Sequence, residues 1–237
     1  MSSLPRPPGY PRVKRVHSFH ELVTTRFADG VNALCWQREL IGDFNEIVKL
    51  LGRSDADIVT LDEALLNSLP VSAAGRAAID ILLDDQRLLW EHDLDPSLNL
   101  VHGYLRNQEP GPIATDVFSF HADSATMEAD TYLCTYHGPT SEGVANEEAR
   151  RRVDIPATRA ELLKIYNGKD DDGFREFLNE HCYDLHYAAS PQAGIFSFGQ
   201  GNLWRIAIEY PGCPVPPCIH RAPAHGPGDP PRLMLIS

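Results

Sequence analysis

The sequence predicts an α+β protein with a β-sandwich or barrel core. Apolar residues recur at helical spacing in the first part of the chain, whereas short β-type runs separated by turn residues follow Pro96. Helices followed by many short strands are the element order of this fold class. The 237 residues, 43% hydrophobic and 23% charged, have an ordinary globular composition and predict a single domain spanning 1–237.

The first part of the chain divides into an arm and a mainly helical region. Residues 1–15 are rich in proline and predict an extended arm. Residues 16–97 predict helices, and the strongest candidates, 36–51 and 73–92, each place their leucines and isoleucines on one face. Gly52 is suitably placed to end the first of these helices.

Residues 98–237 predict the β core. The candidate strands are 98–105, 117–121, 131–136, 194–198, 203–208 and 232–236. A helical insert of about 156–182 interrupts them. Residues 158–161 (Thr-Arg-Ala-Glu) form a capping-box pattern before one helix, and the three aspartates at 170–172 precede another. We expect this insert to elaborate the surface or to act as a lid.

The formal net charge of −12 limits the classes of partner. A strongly acidic surface repels phosphate backbones and anionic lipids, so we expect neither nucleic acid nor a membrane as a partner. No apolar run reaches about 18 residues and no signal peptide is recognisable, which predicts a cytoplasmic protein. The 5 irregularly spaced cysteines argue against a disulfide framework. We expect a monomer or homodimer that acts on a small molecule.

Three residues carry the chemistry of a metal site. His121 and Asp123 follow a predicted strand, and alternate residues of an extended chain point to the same side, so both can reach one ion. His220 lies in a Pro-rich link 99 residues after His121 (220 − 121). Two histidines and one carboxylate form the facial triad of non-haem Fe(II) oxygenases, which leaves positions open for a chelating 2-oxo acid and O2.

Arg232 begins the last predicted strand, twelve residues after His220 (232 − 220). The distal carboxylate of a chelating 2-oxo acid needs a partner, and a guanidinium fork matches a carboxylate bidentately. His225 is a rival to His220 as the second histidine ligand, but it stands only seven residues before Arg232 (232 − 225), between Ala224 and Gly226. We therefore favour His220.

With His121, Asp123, His220 and Arg232 in this order, residues 98–237 resemble the Fe(II)/2-oxoglutarate-dependent dioxygenase superfamily, and in particular its small bacterial members. The resemblance implies a double-stranded β-helix (a cupin-like jelly roll), Fe(II), and 2-oxoglutarate and O2 as co-substrates. It implies oxidation of an unactivated C–H bond by hydroxylation, desaturation or cyclisation. The expected substrate is a small metabolite, an amino acid or a natural-product intermediate. Met234 departs from the pattern, since a small hydroxyl residue often stands at that position.

Five further residues are candidates for ligand contacts. We assign Tyr104 and Tyr136 to 2-oxoglutarate, and the substrate contacts are expected to be Arg106, His137 and Arg221. The segment 181–186 (His-Cys-Tyr-Asp-Leu-His) also contains metal-capable groups and is a weaker candidate for a metal site.

Alternative functions remain open at this stage. A cupin-like metalloenzyme would use His121, Asp123 and His220 without 2-oxoglutarate. A non-enzymatic module would bind an acidic metabolite through Arg232 and Arg221 and would hold no metal. A structural or assembly protein is the third alternative.

Overall fold

The structure is a computed structural model that describes residues 10, 12–104, 106, 111–224, 226 and 229–237. The helices are α1 (Phe19–Thr24), α2 (Phe44–Leu51), α3 (Glu63–Ser68), α4 (Ala73–Trp90), α5 (Pro156–Tyr166) and α6 (Asp172–Glu180). The strands are β1 (Val13–Val16), β2 (Ala33–Trp36), β3 (Ile58–Leu61), β4 (Ser97–Val101), β5 (Asp130–His137), β6 (Glu142–Val144), β7 (Ala149–Arg151), β8 (Tyr187–Ala189), β9 (Phe196–Ser197), β10 (Leu203–Ala207), β11 (Ile219–Arg221) and β12 (Arg232–Ile236).

The strands form one large and two small sheets. The large sheet has seven strands in the order β1-β2-β10-β5-β12-β4-β3. Its β1 and β2 run parallel, and its other neighbouring pairs are antiparallel. A three-stranded sheet has the order β11-β6-β9, and β7 pairs with β8. The predicted α+β fold class is confirmed.

The central strand β5 is buried on both faces of the large sheet. Tyr132, Cys134 and Tyr136 pack in the main core with side chains of the N-terminal helices. Leu133 points the other way, because successive side chains of a strand alternate between faces. It joins a cluster drawn from both sheets, which contains Ala33, Cys35, Leu133, Phe196, Phe198, Trp204, Ile206 and Cys218. The three-stranded sheet therefore faces the large sheet across this apolar cluster.

Helix α4 covers the other face of the large sheet. Its N-cap Ser72 accepts a hydrogen bond of 3.2 Å from the backbone N–H of Gly75, an interaction worth about 1 kcal/mol. Ile79 and Leu82 are fully buried, whereas Trp90 is exposed. The apolar periodicity of 73–92 therefore predicted both the helix and its buried face, and the helix ends two residues before the predicted boundary (92 − 90).

The N-terminal region departs from the prediction in three places. Within the predicted arm, residues 1–9 and 11 lie outside the described residues, and from Val13 the chain pairs with β2. The segment 16–97 is mixed rather than mainly helical, because β2 and β3 join the large sheet. The helix predicted for 36–51 begins only at Phe44, since Asp43 caps it by accepting a 3.0 Å bond from the N–H of Glu46.

The β core follows the prediction best at its centre. The segments 131–136, 203–208 and 232–236 correspond to β5, β10 and β12, whereas 98–105 shortens to β4 and 194–198 to β9. The strand predicted at 117–121 is wrong. The Asp116 carboxylate accepts bonds of 3.1 and 3.2 Å from the N–H groups of Phe118 and Ser119, which closes a turn there.

The helices α5 and α6 lie within the predicted insert of about 156–182. The capping box predicted at 158–161 is wrong, because α5 begins at Pro156, whose ring suits the first helical position. The aspartate run acts as expected, since Asp171 accepts a bond from the N–H of Phe174 and caps α6. No helix in the described part of the chain is long and apolar enough to cross a membrane.

Candidate metal centre

The backbone brings His121 and His220 side by side. The N–H of each residue donates a 2.9 Å bond to the carbonyl oxygen of the other, which makes them a directly opposed antiparallel pair. Directly opposed residues point to the same face, and Asp123, two residues after His121, shares that face. The predicted pair and the distant histidine therefore converge.

The three side chains form a cluster with the geometry of a metal site. One ligand atom from each of His121, Asp123 and His220 lies within 4.8 Å of the others. The Nε2 atom of His121 is 3.7 Å from Oδ1 of Asp123, and Nε2 of His220 is 3.8 Å from Oδ2 of the same carboxylate. Adjacent ligands about 2.1 Å from a metal ion lie about 3 Å apart, and these two separations exceed that distance by less than about 1 Å.

Neighbouring groups orient all three ligands. The Nδ1 atom of His121 lies 2.8 Å from the carbonyl oxygen of Ser119, and Nδ1 of His220 lies 3.4 Å from that of Cys218. A carbonyl oxygen only accepts, so Nδ1 carries the proton and Nε2 keeps its lone pair for a metal. The hydroxyl of Thr131 donates a 2.7 Å bond to Oδ2 of Asp123.

The electrostatics favour the metal-binding protonation states of His121 and Asp123. Burial, reinforced by His220, lowers the pKa of His121 below its ordinary value. Burial alone would raise the pKa of Asp123, but His220, the Thr131 hydroxyl and His121 together outweigh it and lower that pKa. Neutral imidazoles beside an ionised carboxylate are the forms that bind a metal ion.

Arg232 is buried without a carboxylate partner among the described residues. It is 1% exposed, and its guanidinium donates to the hydroxyls of Tyr104 at 2.8 Å, Ser141 at 3.1 Å and Thr135 at 3.4 Å. Its Nε atom is buried and has no hydrogen-bond partner in the described part of the chain. Burial lowers the pKa of Arg232, which expresses the cost of a desolvated charge. Such a cation fits an anionic ligand.

Other residues supply the hydroxyl that position 234 lacks. The Met234 sulfur lies 3.4 Å from the Tyr104 hydroxyl, so position 234 supplies no hydroxyl to the guanidinium. Tyr104, which is predicted from the sequence to contact 2-oxoglutarate, supplies one instead. Thr135 and Ser141 were missed, although the polar Thr135 stands out between the apolar residues of β5.

The metal cluster and Arg232 share one face of the large sheet. Thr131, which bonds Asp123, and Thr135, which bonds Arg232, are four residues apart on β5 and point to the same side as Leu133. Both therefore face the space between the sheets. A register shift after Thr135 interrupts the alternation before His137, which pairs with Leu233, and the Nδ1 atom of His137 lies 3.3 Å from the carbonyl oxygen of Pro231.

Two predicted contacts lie on the wrong faces of their strands. Tyr136 points into the helix layer, where its hydroxyl donates a 2.7 Å bond to Asp85, so it does not adjoin Arg232. Arg221 follows His220 on β11 and points to the opposite side, where it pairs with Glu142 and stacks over Phe120 at 4.3 Å. A one-residue step along a strand reverses the face, and this accounts for both errors.

The remaining candidates fall in different places. Arg106 is exposed and lies 4.4 Å above the ring of Phe118, which contacts Tyr104 edge-on. His181 ends α6 and stacks on Tyr183, away from the ligand set. His186 lies beside His121, with ring centroids 5.8 Å apart, but does not belong to the three-ligand cluster. His225 lies outside the described residues.

Comparison of the chain with protein-family models, curated proteins and solved structures gives no match.

Proposed function

We propose that the protein is a non-haem Fe(II)/2-oxoglutarate-dependent oxygenase that oxidises an unactivated C–H bond of a small metabolite. One observation carries the proposal. The ligand cluster of His121, Asp123 and His220 and the buried, carboxylate-free Arg232 lie on the same side of β5, where Thr131 bonds Asp123 and Thr135 bonds Arg232. A cation site or an anion site alone is common, whereas both on one side of the same strand suit a ligand that chelates a metal and carries a second carboxylate.

The strand connectivity supports a double-stranded β-helix. From β4 onward the chain alternates between the sheets, visiting the His121 segment, β5, β6 and β9, β10, β11 and finally β12. In space, β10, β5, β12 and β4 are successive neighbours in the large sheet. The His121 segment, β11, β6 and β9 are successive neighbours opposite them. Two interleaved sheets formed by alternate visits are the architecture of a jelly roll.

The donor set fits iron and leaves room for other ligands. Two imidazole nitrogens and one carboxylate oxygen on one side of an ion are the 2-His-1-carboxylate arrangement of Fe(II) oxygenases. Bound Fe(II) would supply activation of O2 coupled to decarboxylation of 2-oxoglutarate. His121, Asp123 and His220 would hold the ion, and Arg232 with the hydroxyls of Tyr104, Thr135 and Ser141 would bind the distal carboxylate.

Aromatic side chains pack beside one of the metal ligands. His220 is buried and its ring lies 6.3 Å from that of Phe198, which stacks on Trp204 at 4.4 Å. Both rings belong to the apolar cluster between the sheets, and an apolar neighbourhood strengthens the charge interactions of His220. We further propose that the insert carrying α5 and α6 acts as a lid, and that the substrate is an amino acid or a natural-product intermediate.

Anaerobic titration tests the proposal. Wild-type protein with Fe(II) should develop a weak visible charge-transfer band only when 2-oxoglutarate is added, and on exposure to air it should form succinate. His121→Ala and Asp123→Ala should abolish both signals, and Arg232→Met should raise the 2-oxoglutarate requirement. Arg221→Met is the matched control, because this arginine faces away from the centre.

The outcomes separate the alternatives. Metal binding without any response to 2-oxoglutarate would favour a cupin-like enzyme that uses the same three ligands. Failure of the wild type to bind a divalent ion would leave a metal-free module that binds acids through Arg232, and would overturn the proposal.

A further inference from the structure

Four residues form one row across adjacent backbone segments beside the metal centre. His121 pairs directly with His220 on one side and with His186 on the other. The β7–β8 ladder pairs Arg150 with Ala188 and Arg151 with Tyr187, so the next opposed pair is Arg152 with His186. The N–H of Arg152 donates a 2.8 Å bond to the carbonyl oxygen of His186, which continues the ladder to the point where Arg152 begins a 3-10 turn.

The row places two further side chains on the face of the metal ligands. Directly opposed residues of antiparallel segments point to the same face. His220 and His121 point into the space between the sheets, so His186 and then Arg152 extend the same line. The ring centroids are 4.6 Å apart for His121 and His220, and 5.8 Å apart for His121 and His186.

His186 is a buried polar side chain beside the metal cluster. It is 4% exposed, and its Nδ1 atom is buried and makes no hydrogen bond to a described residue. An imidazole ring presents at least one N–H donor whether it is neutral or protonated. The Asp116 carboxylate nearby is engaged by the backbone N–H groups of its own turn. A buried polar atom without a partner is unfavourable, and an incoming ligand that bonds to it would relieve that cost.

Arg152 also has a buried polar atom. Its Nε atom is buried without a partner in the described part of the chain. Its neighbours on β7 are engaged, since Arg150 and Arg151 both bond to Asp154. Arg152 makes no ion pair with a described residue, and its positive charge beside the N–H donor of His186 offers a place for an anion.

We propose that Arg152 and His186 form a subsite that binds the carboxylate of the substrate next to the metal centre. This inference rests on the proposed oxygenase function and narrows its substrate to organic acids, amino acids included. The subsite is separate from that of Arg232, because Arg232 lies on β12 of the large sheet whereas Arg152 and His186 extend the row that begins on β11. Each of the two subsites would hold one acid.

Binding of simple carboxylates tests this subsite without knowledge of the substrate. The probes are acetate and benzoate, with acetamide and benzamide as uncharged controls, titrated against Zn(II)-loaded protein by ligand-observed NMR, with and without saturating 2-oxoglutarate. The wild type should bind each carboxylate at least about tenfold more tightly than its amide, also when 2-oxoglutarate fills the Arg232 site. Arg152→Met and His186→Phe should each remove this preference, whereas Arg151→Met should keep it.

A second variant guards against misfolding. His186→Asn retains a polar group near the position of Nδ1 and should recover part of the preference, and zinc stoichiometry should stay at the wild-type value in all variants. The inference is overturned if the wild type shows no preference for carboxylates, or if the preference depends on Arg232 and survives Arg152→Met. If instead 2-oxoglutarate fails to bind while acetate still depends on Arg152, the proposed co-substrate is wrong and the subsite stands.

Discussion

The hydroxyl of Thr131 donates a 2.7 Å hydrogen bond to Oδ2 of Asp123, the carboxylate that faces both imidazoles of the metal cluster. The bond connects the large sheet to the His-Ala-Asp segment and leaves the carboxylate only limited freedom to turn. Groups that orient metal ligands in this way influence affinity although they never touch the ion.

Removal of this bond should weaken metal binding. Thr131→Val preserves the shape of the side chain but loses the donor, so we expect affinity for Zn(II) or Fe(II) to fall by about 10- to 100-fold. Competition with a chromophoric chelator measures it. Thr131→Ser keeps the hydroxyl and should stay near the wild type, and equal affinities for the Val and Ser variants would contradict the orienting role.

The buried charge of Arg232 should lower the free energy of unfolding when no anion is bound. Arg232→Met removes a buried charge that has no carboxylate partner among the described residues, so the ligand-free variant should be at least as stable as the wild type. In the wild type, 2-oxoglutarate at 100 times its Kd should add about 2.7 kcal/mol, and the variant should lose this gain. Thermal unfolding of the Zn(II)-loaded proteins measures both effects. A variant that unfolds earlier without ligand would show that the charge is already compensated.

Asp85 should be a large contributor to stability. It is 2% exposed, pairs bidentately with Arg38 and accepts the hydroxyl of Tyr136. Asp85→Ala leaves the partly buried guanidinium without its partner and should lower the free energy of unfolding by about 3–5 kcal/mol. The adjacent Asp84→Ala removes an exposed pair with Arg87 and should cost less than about 1 kcal/mol. Urea denaturation compares the two variants, and similar losses would refute the buried network.

The thiols should differ sharply in reactivity. Burial raises the pKa of Cys35, Cys134 and Cys218 to about 12, so these thiols stay protonated and shielded at pH 8. Cys182 is exposed. We expect a thiol reagent at pH 8 to modify Cys182 rapidly and the three buried cysteines only after unfolding, as peptide mass mapping would show. Rapid labelling of Cys134 in the native protein would contradict the packing of β5.

Local patterns in the sequence were sufficient wherever one face of an element decides its structure. The helical periodicity of 73–92 predicted α4, and the apolar run after Arg232 predicted β12 with its observed bounds. The i, i+2 spacing predicted that His121 and Asp123 share a face. The same reasoning failed on β5. Both faces of this strand are buried, so the apolar pattern does not show which side chains point toward the site. Tyr136 was therefore assigned to the site in place of Thr135.

The sequence by itself determined the fold class and the residue types of the candidate metal cluster with their order along the chain, since these depend on residue chemistry and short-range spacing. Only the tertiary structure decided that Arg221 faces away from His220, that hydroxyls of Thr135 and Ser141 surround Arg232, and that Arg152 and His186 extend the row of histidines. Those relationships depend on strand register between segments distant along the chain. Register is set by the packing of whole sheets, and a shift of one residue would reverse every face.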